Sequence, residues 1–121
     1  MSDLSIAEIC ERLQSLPEAI AVQEQVVIKA TETLRFSELE LDREYAKTFC
    51  EAKARDLKDA EAKQEATKIV IDKGWRAARD YNEFRLMTEQ VILRKLQNEF
   101  VSIRKIASMK NDELRMGGHN F

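Results

Sequence analysis

Apolar residues recur at helical spacing through most of the chain, most regularly between Leu86 and Leu114. Leu86, Leu93, Leu96, Phe100, Ile103, Ala107 and Leu114 fall on one stripe, and from Leu93 to Ala107 the steps are +3, +4, +3, +4. That alternation is the a/d pattern of a coiled-coil seam. Ile92 and Ile106 flank the stripe and widen it. A stripe this wide asks for more than one partner helix, so these seven positions are expected to hold subunits or a partner together.

The same pattern places the other elements. Ser5 and Glu8 form an S-x-x-E capping box, and Leu4 can staple onto Ile9, which predicts a short helix over residues 6–15. Ser15 to Glu18 repeats the box with Pro17 in a tolerated first-turn position, so a second helix is expected from 17. Ile20, Val27, Leu34 and Leu41 recur at sevens, and the stripe drifts to Tyr45, Phe49 and Ala52. Beyond Ala52 it thins among charges, where Glu51 with Arg55 and Asp59 with Lys63 predict i,i+4 ion pairs along a helix continuing to about 58. A short helix follows over 62–71, a turn over 72–74 around Gly74, a long helix over 75–115 and a free tail over 116–121. The expected fold is all-α: one domain forming a long antiparallel, coiled-coil-like hairpin with a short N-terminal helix, and oligomeric because two arms leave apolar stripe exposed.

Composition sharpens this. Three Gly and one Pro in 121 residues leave few helix breakers. The net charge of −2 hides 20 basic and 22 acidic residues, so nucleic-acid binding would depend on local clustering. The opening residues carry acids and no long apolar run, and no stretch approaches a membrane span, so a cytoplasmic protein without membrane contact is expected. Cys10 and Cys50 read as small, buried, reduced residues.

Candidate chemistry is sparse. The chain lacks the P-loop, dinucleotide-binding and H-E-x-x-H motifs, and no nucleophile has a base near it in sequence, so neither catalysis nor a cofactor or metal is expected. His119 and Phe121 read as solvated tail residues. Between Trp75 and Arg85, arginines alternate with Trp75, Tyr81 and Phe84, a composition suited to stacking on single-stranded nucleic acid. On a helical wheel Tyr81 and Phe84 turn toward the apolar side and Trp75, Arg76 and Arg79 elsewhere, which favours a packed helix start. Arg94, Arg104 and Lys105 share a sector with Arg76 and Arg79, and could track a phosphate backbone. Glu83 and Glu113 interrupt that sector.

Residues Lys68-Ile-Val-Ile-Asp72, Ala78-Arg-Asp-Tyr81, Glu99-Phe-Val-Ser-Ile-Arg-Lys-Ile-Ala107 and Asp112-Glu-Leu-Arg-Met-Gly-Gly118 resemble small helical phage and prophage proteins encoded among recombination and replication genes. The layout over 62–118 is similar to the UvsY-type recombination mediators of T-even phages. Those mediators form rings, bind single-stranded DNA and help load a recombinase. The resemblance implies that Arg76, Arg79, Arg104, Lys105 and Lys110 contact phosphates, with Arg94 in the same sector, and that the Leu93 to Ala107 stripe joins subunits. It implies a homo-oligomer whose partners are single-stranded DNA or a recombination protein. The alternative is a coiled-coil scaffold, adaptor or inhibitor that touches no nucleic acid.

Overall fold

The structure, a computed structural model, describes residues 4–118. Three helices, α1 (Ile6–Ala54), α2 (Asp59–Asp72) and α3 (Trp75–Gly118), make up an all-α fold with no strand among the described residues. One compact unit gathers residues 4–26 with 89–118, and the other is Val27–Thr88. Helices paired along a seam contact each other level by level, so neighbours along the seam cluster locally.

In the first unit α1 and α3 run antiparallel, as the pairing of Arg12 with Glu99 and of Gln23 with Glu89 requires. Ile9, Leu16 and Ile103 are buried together, and Leu4, Leu13, Leu96, Phe100, Ile106 and Ala107 pack around them. Side chains of this size contribute about 1.5–3 kcal/mol each when fully buried. Glu8 N–H donates to Ser5 Oγ at 3.1 Å, which completes half of the expected capping box. Leu4, just before the cap, packs against the same core as Ile9.

The expected break before Pro17 does not occur: α1 is one helix with Pro17 inside it, so there is no separate helix over 6–15. An interior proline removes one backbone hydrogen bond and costs about 3 kcal/mol. Leu13, Leu16 and Ile20 nevertheless stay in seam phase, all wholly or partly buried, while Pro17 faces solvent. Continuous burial offsets the lost bond.

In the second unit α1 continues along the predicted positions, with Val27, Leu34, Leu41, Tyr45 and Phe49 half-buried and Ala52 buried. It stops at Ala54, short of the expected 58. The N–H groups of Arg55 and Leu57 both donate to the Ala52 carbonyl, and Asp56 takes a left-handed φ of 64° where glycine is usual. Because the chain turns there, the two expected i,i+4 pairs give way to pairs across the turn: Lys53 with Asp59 at 2.7 Å, and Arg55 with Glu65. The Lys53 ammonium holds the Asp59 carboxyl below its ordinary value by hydrogen bond and charge.

Ala62, Ala66 and Val70 form the inner face of α2, each one turn apart. Such small side chains let neighbouring backbones approach closely. Gly74, with φ of 80°, makes the turn as expected, and its carbonyl accepts the first α3 bond from Ala78 N–H at 2.9 Å. α3 then runs through Gly118, past the expected end at 115, so residues 116–118 are helix and not tail. His119 and Phe121 lie outside the described residues.

Candidate nucleic-acid and partner interface

The seam of α3 is wider in register than the apolar pattern shows. Its inward positions run Asn82, Leu86, Glu89, Leu93, Leu96, Phe100, Ile103 and Ala107, an unbroken alternation of four and three that includes two polar residues. Those two residues have partners on α1. Gln23 Nε2 donates to the Glu89 carbonyl at 2.9 Å and to Glu89 Oε2 at 2.6 Å, while Asn82 Nδ2 donates to Ser37 Oγ. Polar pairs inside an apolar seam fix helix register, since any slip leaves them desolvated and unpaired.

Of the positions expected to join subunits, Ile103 is 3% exposed, and Leu86, Leu93, Leu96, Phe100 and Ala107 are half-buried. Ile103, Leu96, Phe100 and Ala107 are packed within the chain against the α1 cluster, so the chain's own helix fills much of the seam reserved for a second subunit. Leu114 departs from the rest at 64% exposed. It borders a groove of about 180 Å³ with Ile6, Cys10 and Lys110, at the level where α1 begins.

The occupation of the seam by Asn82 reverses the expected orientation of the rings. Tyr81 and Phe84 sit one and two positions off the seam, and they are 65% and 69% exposed. The packed helix start is therefore corrected: these rings face solvent, three residues apart on one side of α3. Met87, one turn on from Phe84, is exposed too, as is Arg85. Trp75 is half-buried. The signal was present in the spacing, since placing Asn82 inward in phase with Leu86 and Leu93 turns both rings outward.

The basic residues divide between the units. Arg76 and Arg79 belong to Val27–Thr88 and border one pocket of about 290 Å³. Arg79 is half-buried and paired with Asp80 at 2.9 Å; Arg76 is exposed. Arg94, Arg104, Lys105 and Lys110 lie in the other unit. Arg104 sits over the Phe100 ring, 5.7 Å from its centroid, an arrangement in which the ring stabilises the cation. Lys110 is half-buried at the end of the seam, and Arg94 and Lys105 are exposed.

Cys10 and Cys50 are free and exposed, contrary to the buried positions expected, because each lies beside the seam phase and not on it. Among the described residues no group of three or more His, Cys, Asp or Glu is placed to hold a metal ion, and no helix is long and apolar enough to cross a membrane. The chain matches no protein-family model, no curated protein and no solved structure.

Proposed function

We propose that this chain is a non-enzymatic accessory protein of phage-type DNA recombination or repair that self-associates and holds single-stranded DNA on its Val27–Thr88 unit. The observation that carries the binding part is the outward display of Tyr81 and Phe84. A soluble helix gains nothing from two solvated rings, whereas unpaired bases stack on such rings for about 1–3 kcal/mol each. Arg76 and Arg85, both exposed on the same stretch of α3, supply charge for the strand's phosphates. The recombination setting rests on the resemblance of residues 62–118.

Fluorescence-anisotropy titration of a labelled single-stranded oligonucleotide, beside a duplex of matched length and at two salt concentrations, tests this reading. Micromolar binding that prefers the single strand and weakens steeply with salt is expected. Absence of binding at low salt removes it.

A second reading, a helical assembly or adaptor protein without nucleic-acid contact, is favoured by Phe36 and Leu39. These residues are 64% and 61% exposed on α1, with Glu32 and Arg43 one turn away on either side. Apolar residues rimmed by mixed charge suit a protein partner better than a phosphate backbone. Under either reading, self-association uses exposed apolar residues such as these, because Ile103 and its neighbours are engaged within the chain.

A further inference from the structure

We infer that the pocket bordered by Arg76 and Arg79 is a binding site for a phosphate group. It lies wholly within the Val27–Thr88 unit, and each of its three helix segments contributes: Leu41, Asp42 and Tyr45 from α1, Thr67 and Val70 from α2, Arg76 and Arg79 from α3. A volume of about 290 Å³ accommodates a phosphate and part of the molecule that carries it.

The donor set matches an oxyanion. Two arginines line one concavity, and arginine's planar donors fit phosphate oxygens in pairs; Arg79 Nε and Nη2 both donate to Asp80 Oδ1, which leaves Arg76 with the unengaged fork. Thr67 and Tyr45, which also line the pocket, each carry a hydroxyl that can serve as a neutral donor. Helix electrostatics point the same way. α1 opens with Glu8 and α2 with Asp59 and Glu61, whereas the first turn of α3 has no acid and carries Arg76. For an exposed cation in the first turn this is a small unfavourable effect, which a bound anion offsets.

Acidic neighbours set the limits. Among the described residues Arg76 has no ion pair within 4.0 Å, so it is the principal holder. Arg79 is engaged by Asp80 and borders a second pocket that carries Glu38 and Glu83, so its share is smaller. Asp42, the acid in the lining, weakens anion binding and makes removal of its charge a gain-of-binding test.

This inference deepens the strand-binding reading and rests on it only for the identity of the molecule that carries the phosphate. The pocket itself is tested with inorganic phosphate. The full chain is titrated at constant ionic strength, with chloride as control, and followed by the NMR signals of the arginine Nε–H groups. Saturable shifts at Arg76 and Arg79 are expected at millimolar phosphate. Arg76→Gln weakens them about tenfold, and Asp42→Asn tightens them about three- to tenfold, both with unchanged far-UV circular dichroism. Asp42→Asn keeps the test decisive should Arg76→Gln perturb the helix. No saturable shift in wild type and in Asp42→Asn overturns the proposal, as does phosphate binding that Arg76→Gln leaves unchanged.

Oligonucleotide titrations of the same variants separate the two readings. Phosphate binding without strand binding keeps the pocket and removes the strand-binding function. Strand binding indifferent to Arg76→Gln and Asp42→Asn keeps that function and removes the strand as the carrier of the phosphate, while the pocket stands or falls on the inorganic-phosphate titration. Preference for a 5′-phosphorylated over a 5′-hydroxyl strand assigns the phosphate to a strand end, and phosphate binding that neither strand displaces assigns it to a free anion.

Discussion

The two units solve the same packing problem with different side chains. In the unit of residues 4–26 and 89–118, the buried residues are Ile9, Leu16 and Ile103, large aliphatics that hold two helices together. In Val27–Thr88 they are Ala30, Ala52, Ala62, Ala66 and Val70, and the large side chains Phe36, Leu39, Tyr81, Phe84 and Met87 are turned outward. Both units leave large aliphatics exposed, Val22, Val101 and Leu114 in the first and Ile28 and Leu39 in the second, but among the described residues the exposed aromatic rings all lie in Val27–Thr88. What distinguishes Val27–Thr88 is that its exposed apolar residues include the rings Phe36, Tyr81 and Phe84, and the proposed strand binding rests on two of them.

The sharpest way to break the comparison is at the aliphatic core. Ile103→Ala deletes a nearly fully buried side chain and is expected to cost about 2–5 kcal/mol, read as a lower urea midpoint by circular dichroism. A cost below 1 kcal/mol would show that the core near Ile103 is not what holds its unit. Overfilling tests the alanine-lined unit in the opposite sense. Ala66→Leu, at a position with 0% exposure, is expected to destabilise by about 1–3 kcal/mol, because the added side chain has no space between the helices. An unchanged melting curve for Ala66→Leu would contradict close packing of α2.

The polar pairs come next in size. Glu89→Ala leaves the Gln23 amide without its side-chain partner and is expected to cost about 1 kcal/mol, while replacing Gln23 and Glu89 together by leucine restores stability and loosens register. A double-mutant cycle with no coupling between the two residues would show that they do not act as a pair. The smallest effect lies at the α1–α2 turn. Asp59 has its pKa lowered by Lys53, so its contribution is present above the ordinary carboxylate value of 3.8 and is lost as pH falls through the lower folded value. Lys53→Met should therefore lower neutral-pH stability slightly, by the same small amount that wild type loses as pH falls through the folded value, and leave stability below that value unchanged.

The sequence carried the helical class, the Leu93 to Ala107 stripe, the Ser5 to Glu8 cap and the turn at Gly74, because each has a local signature in hydrophobic phase or backbone conformation. Three features were hidden. The continuity through Pro17 depends on tertiary burial of Leu13, Leu16 and Ile20 exceeding the cost of one lost hydrogen bond. The end of α1 at Ala54 depends on Ala52, Ala62 and Ala66, whose small side chains give little contrast by which to read a phase. The outward rings were misjudged because an aromatic at the edge of a stripe reads as core and an asparagine as surface. The bond between Asn82 and Ser37 inverts both. For the candidate site, the arginines were legible as a group, but their division between the two units and the pocket around Arg76 required the helix ends.

The placement of strand binding in Val27–Thr88 is tested most directly by anisotropy titration of one single-stranded oligonucleotide against two double variants. Tyr81→Ala with Phe84→Ala removes two solvated rings from one unit, and Arg104→Glu with Lys105→Glu reverses charge in the other. The account predicts that the first variant loses affinity by at least about tenfold with its helicity intact. The second should weaken binding much less, because Arg104 and Lys105 lie outside the Val27–Thr88 unit. Retained affinity in the ring variant together with lost affinity in the charge-reversed variant would contradict the account and move the interface to the other unit.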